Sequence, residues 1–240
     1  MLKKVFFFVF FAMIVNVGIL TDAQDKKPEP KKISVNGTIE DMDMEKGLAK
    51  IVDGDETEWI VKLDRNTKFT YSGTAEPAWI RRGMWVRLTT DFNSKGEPQR
   101  SPKDVLVFQR KKGDKLGIYN DNKGTIINPF IKSKTEPTPS EKFLTLTVAG
   151  QVKSLRSSEL SVVAGRMTLK IPLDKRTKIR VDVADPTLIR KGDKVMIEGW
   201  QVPDAENAMV ATSLKVTGKE PLAPKGRRTG SRTTKSDEKK

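Results

Sequence analysis

The chain has 240 residues, 36% hydrophobic and 32% charged, with 45 Lys and Arg against 31 Asp and Glu for a net charge of +14. It is too apolar for full disorder, long enough for one large or two small domains, and basic enough that polyanions are natural partners. It contains no His and no Cys, which excludes His-based triads, Cys nucleophiles, thiolate or imidazole zinc sites, haem ligation through either residue, and disulfides.

Lys3 and Lys4 precede a charge-free run, Val5 to Leu20, and Thr21-Asp22-Ala23 places small residues where a signal peptidase reads. Residues 1–23 are expected to be a signal peptide cleaved after Ala23. The run is shorter than the roughly 20 residues a helix needs to cross a bilayer and contains Asn16, so an uncleaved anchor is the lesser reading. With no Cys near the cleavage point, lipid anchoring is excluded. The protein is therefore read as exported, periplasmic or secreted, with residues 24–32 a flexible lead-in.

Beyond residue 32 the chain repeats itself. Val35-Asn36-Gly37-Thr38-Ile39 matches Val148-Ala149-Gly150-Gln151-Val152 at an offset of 113, and Leu63 to Phe69 matches Leu173 to Ile179 at 110. Pro77-Ala78-Trp79-Ile80-Arg81-Arg82-Gly83-Met84-Trp85-Val86-Arg87-Leu88 matches Pro186 to Ile197 at 109, an offset that still holds for Val105 and Val107 against Leu214 and Val216. Two homologous copies, 33–110 and 144–218, follow.

Each copy reads as strands. Leu144, Leu146, Val148, Gly150 and Val152 alternate with smaller or polar residues, as Ile33, Val35, Gly37 and Ile39 do. The Gly shared by both marks a bulge or sharp bend. Asp53-Gly54 and Ala164-Gly165 predict hairpins, with Trp59, Val61 and Leu63 on one strand face. Val86 and Leu88, like Val195 and Ile197, are expected to point inward. Pro77 to Arg81 and Pro186 to Arg190 open on proline and stop before Gly83 and Gly192, which predicts one short helical turn per copy. The fold class is all-β: two tandem small OB-like barrels plus an N-terminal signal helix and a disordered C-terminal tail. At about 75 residues each copy is near the lower limit of independent stability.

The spacing V-x-G-x-[IV], T-K-[FI], P-x-x-I-R-[RK]-G-x-x-V-x-[LI], then a terminal strand, resembles a bacterial exported domain of unknown function with an OB-like barrel, present here as two copies. The resemblance implies a fold and an envelope setting and carries no catalytic residues. Copy one departs from it with Met84 where the family places a polar residue, and copy two lacks an aromatic at the position of Trp79.

Residues 111–143 read as a linker, with Glu136-Pro137-Thr138-Pro139-Ser140 stiff and solvated and an extra hairpin over Gly117 to Tyr119 and Thr125 to Ile127. Residues 219–240 hold eight basic and three acidic side chains and read as a disordered basic tail.

Charge separates the copies. Residues 33–110 carry 12 basic and 13 acidic side chains, and residues 144–218 carry 12 and 8. Lys175, Arg176, Lys178, Arg180, Arg190 and Lys191 form the candidate anion-binding patch, with Arg227, Arg228 and Arg232 as mobile cations in the tail. The acidic runs at Asp41–Glu45 and Asp53–Glu58 lack the spacing of a calcium loop and read as turns and strand exteriors. No metal site and no cofactor are expected. Asp64 and Asp174 recur at matching turns and read as structural. The leading function is a non-catalytic exported binding or scaffold protein of the cell envelope that meets an envelope protein or anionic polymer, with nucleic acid disfavoured in an exported chain. The alternative is an OB-type oligonucleotide or oligosaccharide binder that stacks ligand rings on exposed Trp79 and Trp85. An enzyme working without His or Cys is third.

Overall fold

The computed structural model describes residues 31–93, 95–120, 144–203 and 205–224, and the backbone of 125–126. The expected signal peptide, the Pro-rich part of the linker and residues 225–240 lie outside these described residues. The fold is all-β. Copy one supplies β1 (Lys32–Asp43), β2 (Leu48–Asp53), β3 (Glu58–Ala75), β4 (Trp85–Phe92) and β5 (Asp104–Phe108). The following segment gives β6 (Gly117–Asn120) and β7 (Thr125–Ile126), and copy two gives β8 (Leu144–Arg156), β9 (Glu159–Ala164), β10 (Met167–Pro172), β11 (Lys178–Val183), β12 (Lys194–Gln201) and β13 (Ala208–Thr217). The predicted hairpins at Asp53-Gly54 and Ala164-Gly165 form. Each predicted helical turn is a single 3-10 turn, Pro77–Trp79 and Pro186–Leu188, left through Gly83 and Gly192 at φ 93° and 90°, where a side chain would be strained.

The strand pairing departs from one barrel per copy. From β1 the antiparallel ladders lead to β2 and then to β3; β3 pairs in parallel with β13, β13 pairs with β12, and β12 returns to β1. This first ring, ring A, takes three strands from copy one and two from copy two. Ring B is its counterpart: β8 pairs β9, β9 pairs β10, the chain runs on into β11, β11 pairs β5 in parallel, β5 pairs β4, and β4 returns to β8. Neither ring is built from one copy alone. The exchange is symmetrical in detail: Leu88 faces Val148 as Ile197 faces Val35, and Val105 faces Ile179 as Leu214 faces Phe69.

Two devices direct the exchange. The strand β3 runs for 18 residues; it stays paired with β13 as far as Ser72, and its last residues, Tyr71 to Ala75, pair antiparallel with β11, placing Ser72 opposite its own repeat equivalent Asp182. The chain thus reaches the 3-10 turn on the far side of the seam, and β4 is delivered beside β8. The turn is then pinned across copies: Gly83 N–H donates to Val152 O at 2.9 Å, and Gly192 N–H donates to Ile39 O at 2.8 Å. The Thr of each T-K motif adds a second clasp. Buried Thr67 Oγ1 donates to Ala211 O and buried Thr177 Oγ1 to Pro102 O, both at 2.9 Å and both onto a strand or loop of the other copy.

The inward faces make one continuous apolar cluster, from Ile39, Ile51, Val61, Ile197 and Leu214 in ring A to Val86, Val105, Val148, Leu160 and Ile179 in ring B. The repeated glycines are required where β1 and β8 coil inward. A Cβ on Gly37 would collide with Val52 O, and one on Gly150 with Val163 O, two residues before the equivalent bulges after Ile39 and Val152. The extra hairpin forms too, and β6 extends the sheet on β8. The start of the supposed tail is part of the fold. Lys219 N–H donates to buried Asp193 Oδ1, Leu222 N–H donates to Thr74 O, and the Leu222 side chain is fully buried.

Candidate functional site

The exchange redistributes charge. Residues 31–76 and 186–224, which build ring A, hold 12 basic and 15 acidic side chains. Residues 77–120 and 144–185, which build ring B and its β6 extension, hold 18 basic and 8 acidic, a net of +10. The contrast between the copies, −1 against +4, is therefore much smaller than the contrast between the rings.

The six cations predicted for one patch divide between the rings. Exposed Lys175 and Arg176 sit in the turn before β11, where Asp174 Oδ1 accepts Arg176 N–H at 2.7 Å, and exposed Lys178 and Arg180 stand on the outer face of β11. Arg190 and Lys191 precede Gly192, whose N–H holds this turn to β1 of ring A, so they are not part of the same surface. Beside them Glu40 is held below the ordinary carboxylate range, first by Lys50, at 2.9 Å, with a smaller contribution from Lys191. Arg227, Arg228 and Arg232 lie outside the described residues.

What joins Lys178 and Arg180 comes from copy one. Parallel pairing sets Arg180 beside Leu106 of β5, and Leu106 beside Arg87 of β4. Arg87, Arg100, Lys103 and Arg180 line a groove of about 600 Å³ across β8, β4, β5 and β11, with Thr89 and Thr147 on its floor joined Oγ1 to Oγ1 at 3.0 Å. Two carboxylates also line it. Asp91 accepts Thr145 Oγ1–H at 2.6 Å and Arg100 Nη1–H at 3.3 Å, and Asp104 lies 3.7 Å from Arg180 Nε. Arg87 lies over the Phe108 ring, 5.0 Å from its centroid. Its Nε is buried and has no hydrogen-bond partner among the described residues. The alternation that buries Val86 and Leu88 already marks Arg87 as outward; its nearness to Arg180 depends on the exchange.

Of the two indoles expected to form a stacking platform, one is buried and one stays partly exposed. Trp79, the last residue of its 3-10 turn, is 8% exposed and belongs to the core; Trp85 is half-buried with Arg110 lying over it, 5.0 Å from the ring centroid. Trp200 is the exposed indole, at 43%.

The acidic runs behave as local caps. Asp53 accepts the N–H groups of Asp55 and Thr57 and the Trp59 indole Nε1–H, each at 2.9 Å, and Asp43 accepts the N–H groups of Glu45 and Lys46. Met84 and its repeat equivalent Asp193 meet matching backbone groups. The Met84 sulfur faces Arg81 N–H at 3.4 Å, where in copy two Asp193 Oδ2 accepts Arg190 N–H at 2.9 Å. No group of three or more Asp or Glu able to hold a metal ion occurs among the described residues. Comparison with known proteins finds no matching family model, no matching curated protein and no matching solved structure.

Proposed function

We propose that this is a non-catalytic, exported binding or scaffold protein of a bacterial cell envelope, made of two small OB-like barrels that have exchanged their last two strands. Ring B and the basic residues after Pro224 contact an anionic polymer or surface. The observation that carries this reading is the net +10 gathered on ring B while ring A stays slightly acidic. A polyanion is attracted to one side of such a molecule and repelled weakly by the other, so charge orients as well as recruits. Lys3, Lys4 and the Val5 to Leu20 run support export, and the paired rings support the OB-like architecture. The test is retention of the full chain on immobilised heparin, eluted with salt. Strong retention that weakens steeply with salt is expected; failure to bind at low salt overturns the proposal.

A further inference from the structure

The groove on ring B has a feature that net charge does not explain. Two buried side-chain polar atoms lack hydrogen-bond partners among the described residues, Arg87 Nε and Glu40 Oε2. Glu40 Oε2 nevertheless has Lys50 Nζ at 2.9 Å, so its charge is met. The Arg87 guanidinium has no ion pair among the described residues. The two carboxylates of its groove are engaged elsewhere, Asp91 with Arg100 and Thr145, Asp104 with Arg180. Arg87 as a whole is half-buried, but its Nε–H is covered, and a covered donor left unmet is costly.

We infer that the groove is a specific oxyanion site, in which Arg87 receives a phosphate or sulfate group and Lys103 and Arg180 supply flanking charge. The inference rests on the reading of ring B as the anion-facing surface and gives that surface a defined centre. Four cations against two carboxylates around the groove disfavour a metal ion. The Phe108 ring, its centroid 5.0 Å from Arg87 Cζ, limits the freedom of the guanidinium, and a guanidinium fork binds two oxygens of one group. The linked hydroxyls of Thr89 and Thr147 lie on the same floor, where rotation lets one of them donate to a bound oxygen.

The full chain, labelled with nitrogen-15, is titrated with sodium sulfate and with sodium phosphate, and with sodium chloride at matched ionic strength. The Arg87 Nε–H resonance and the Thr89 amide should move saturably with both oxyanions and stay in place with chloride. Arg87→Leu, read at the Thr89 amide because the Nε–H is gone, should abolish saturation. Arg87→Lys, which keeps the charge and most of the packing but not the fork, should weaken it about tenfold. The inference is overturned if Arg87→Leu leaves the shifts unchanged, if chloride reproduces them, or if neither oxyanion moves them. Heparin retention separates the two proposals. Retention without sulfate or phosphate shifts removes the groove and keeps the polyanion reading. Oxyanion shifts without retention do the reverse.

Discussion

At the scale of single residues the exchange depends on a few contacts that tolerate little change. Gly150→Ala sets a methyl group against Val163 O, a backbone atom that cannot swing aside. We expect a loss of about 2–3 kcal/mol in denaturant unfolding, and a similar loss for Gly37→Ala. Thr67→Val and Thr177→Val each remove a buried hydroxyl that reaches the other copy's backbone. Each should cost about 1–2 kcal/mol, since the carbonyl it leaves behind stays buried. Acid acts at the same scale. The Trp59 indole, followed by the Thr57 N–H, holds Asp53 below the ordinary carboxylate range, and hydrogen bonding by Lys46 does the same for Asp43. A lowered folded-state value means that the stabilisation is present above the unfolded value, about 4, and is lost as pH falls through the lower folded one. The Trp59 indole N–H resonance should accordingly stay fixed from neutral pH to about 4 and move only below it, and Asp53→Asn should remove that transition.

At the scale of elements, neither copy has a closed ring of its own. A chain of residues 144–224 alone lacks β4 and β5, which leaves the outer edges of β8 and β11 unpaired, and lacks β1 and β3 against β12 and β13. It should be poorly folded or self-associated. Residues 31–120 and 144–224 refolded together should recover the near-ultraviolet circular dichroism of the intact protein as a one-to-one complex; an independently folded, monomeric 144–224 would contradict the exchange. This is also where the sequence stops being informative. Period-two alternation identifies β1, β4, β8 and β12 because burial on one face dictates it. Yet β4 and β12 are near-equivalents, as are β1 and β8, so the patterns that favour β4 beside β8 also fit β4 beside β1. A repeat makes pairing within a copy and pairing between copies degenerate at the level of pattern, and the choice falls to the long β3, the Pro77 turn and the clasps of Thr67 and Thr177. The cations of β11 were legible as a candidate site, whereas their partners Arg87, Arg100 and Lys103 were not, being in the copy whose overall charge is near neutral. Leu222 was hidden in the same way, a lone apolar residue in a segment whose composition reads as a tail.

For the whole molecule, binding to a polyanion should follow rings, not copies. Lys178→Glu on ring B should bring heparin elution to clearly lower salt. Lys68→Glu, on an exposed position of ring A, should have a much smaller effect. Charges at such positions are screened over about 10 Å at 0.1 M salt, so the difference should fade as ionic strength rises. Residues 225–240 add seven basic and two acidic side chains. Truncation after Pro224 should therefore flatten the dependence of retention on salt and leave thermal stability unchanged. Truncation after Gly218 should do both, weakening retention and lowering the melting temperature, because it also removes buried Leu222 and the bond from Lys219 to Asp193.

The crossed ownership of strands also sets an order in time. A chain emerging from its N-terminus completes the strands of ring B once Val183 is out, whereas ring A waits for β12 and β13, which end at Thr217. The strands made first are thus the last to be enclosed. Until then β1 and β3, which carry Ile39 and Val61, lack the strands that cover their outer edges, and the early part of the chain stays open while the later part arrives. Whatever meets this chain as it is made meets a basic ring B with all its strands present, joined to an acidic, unfinished ring A.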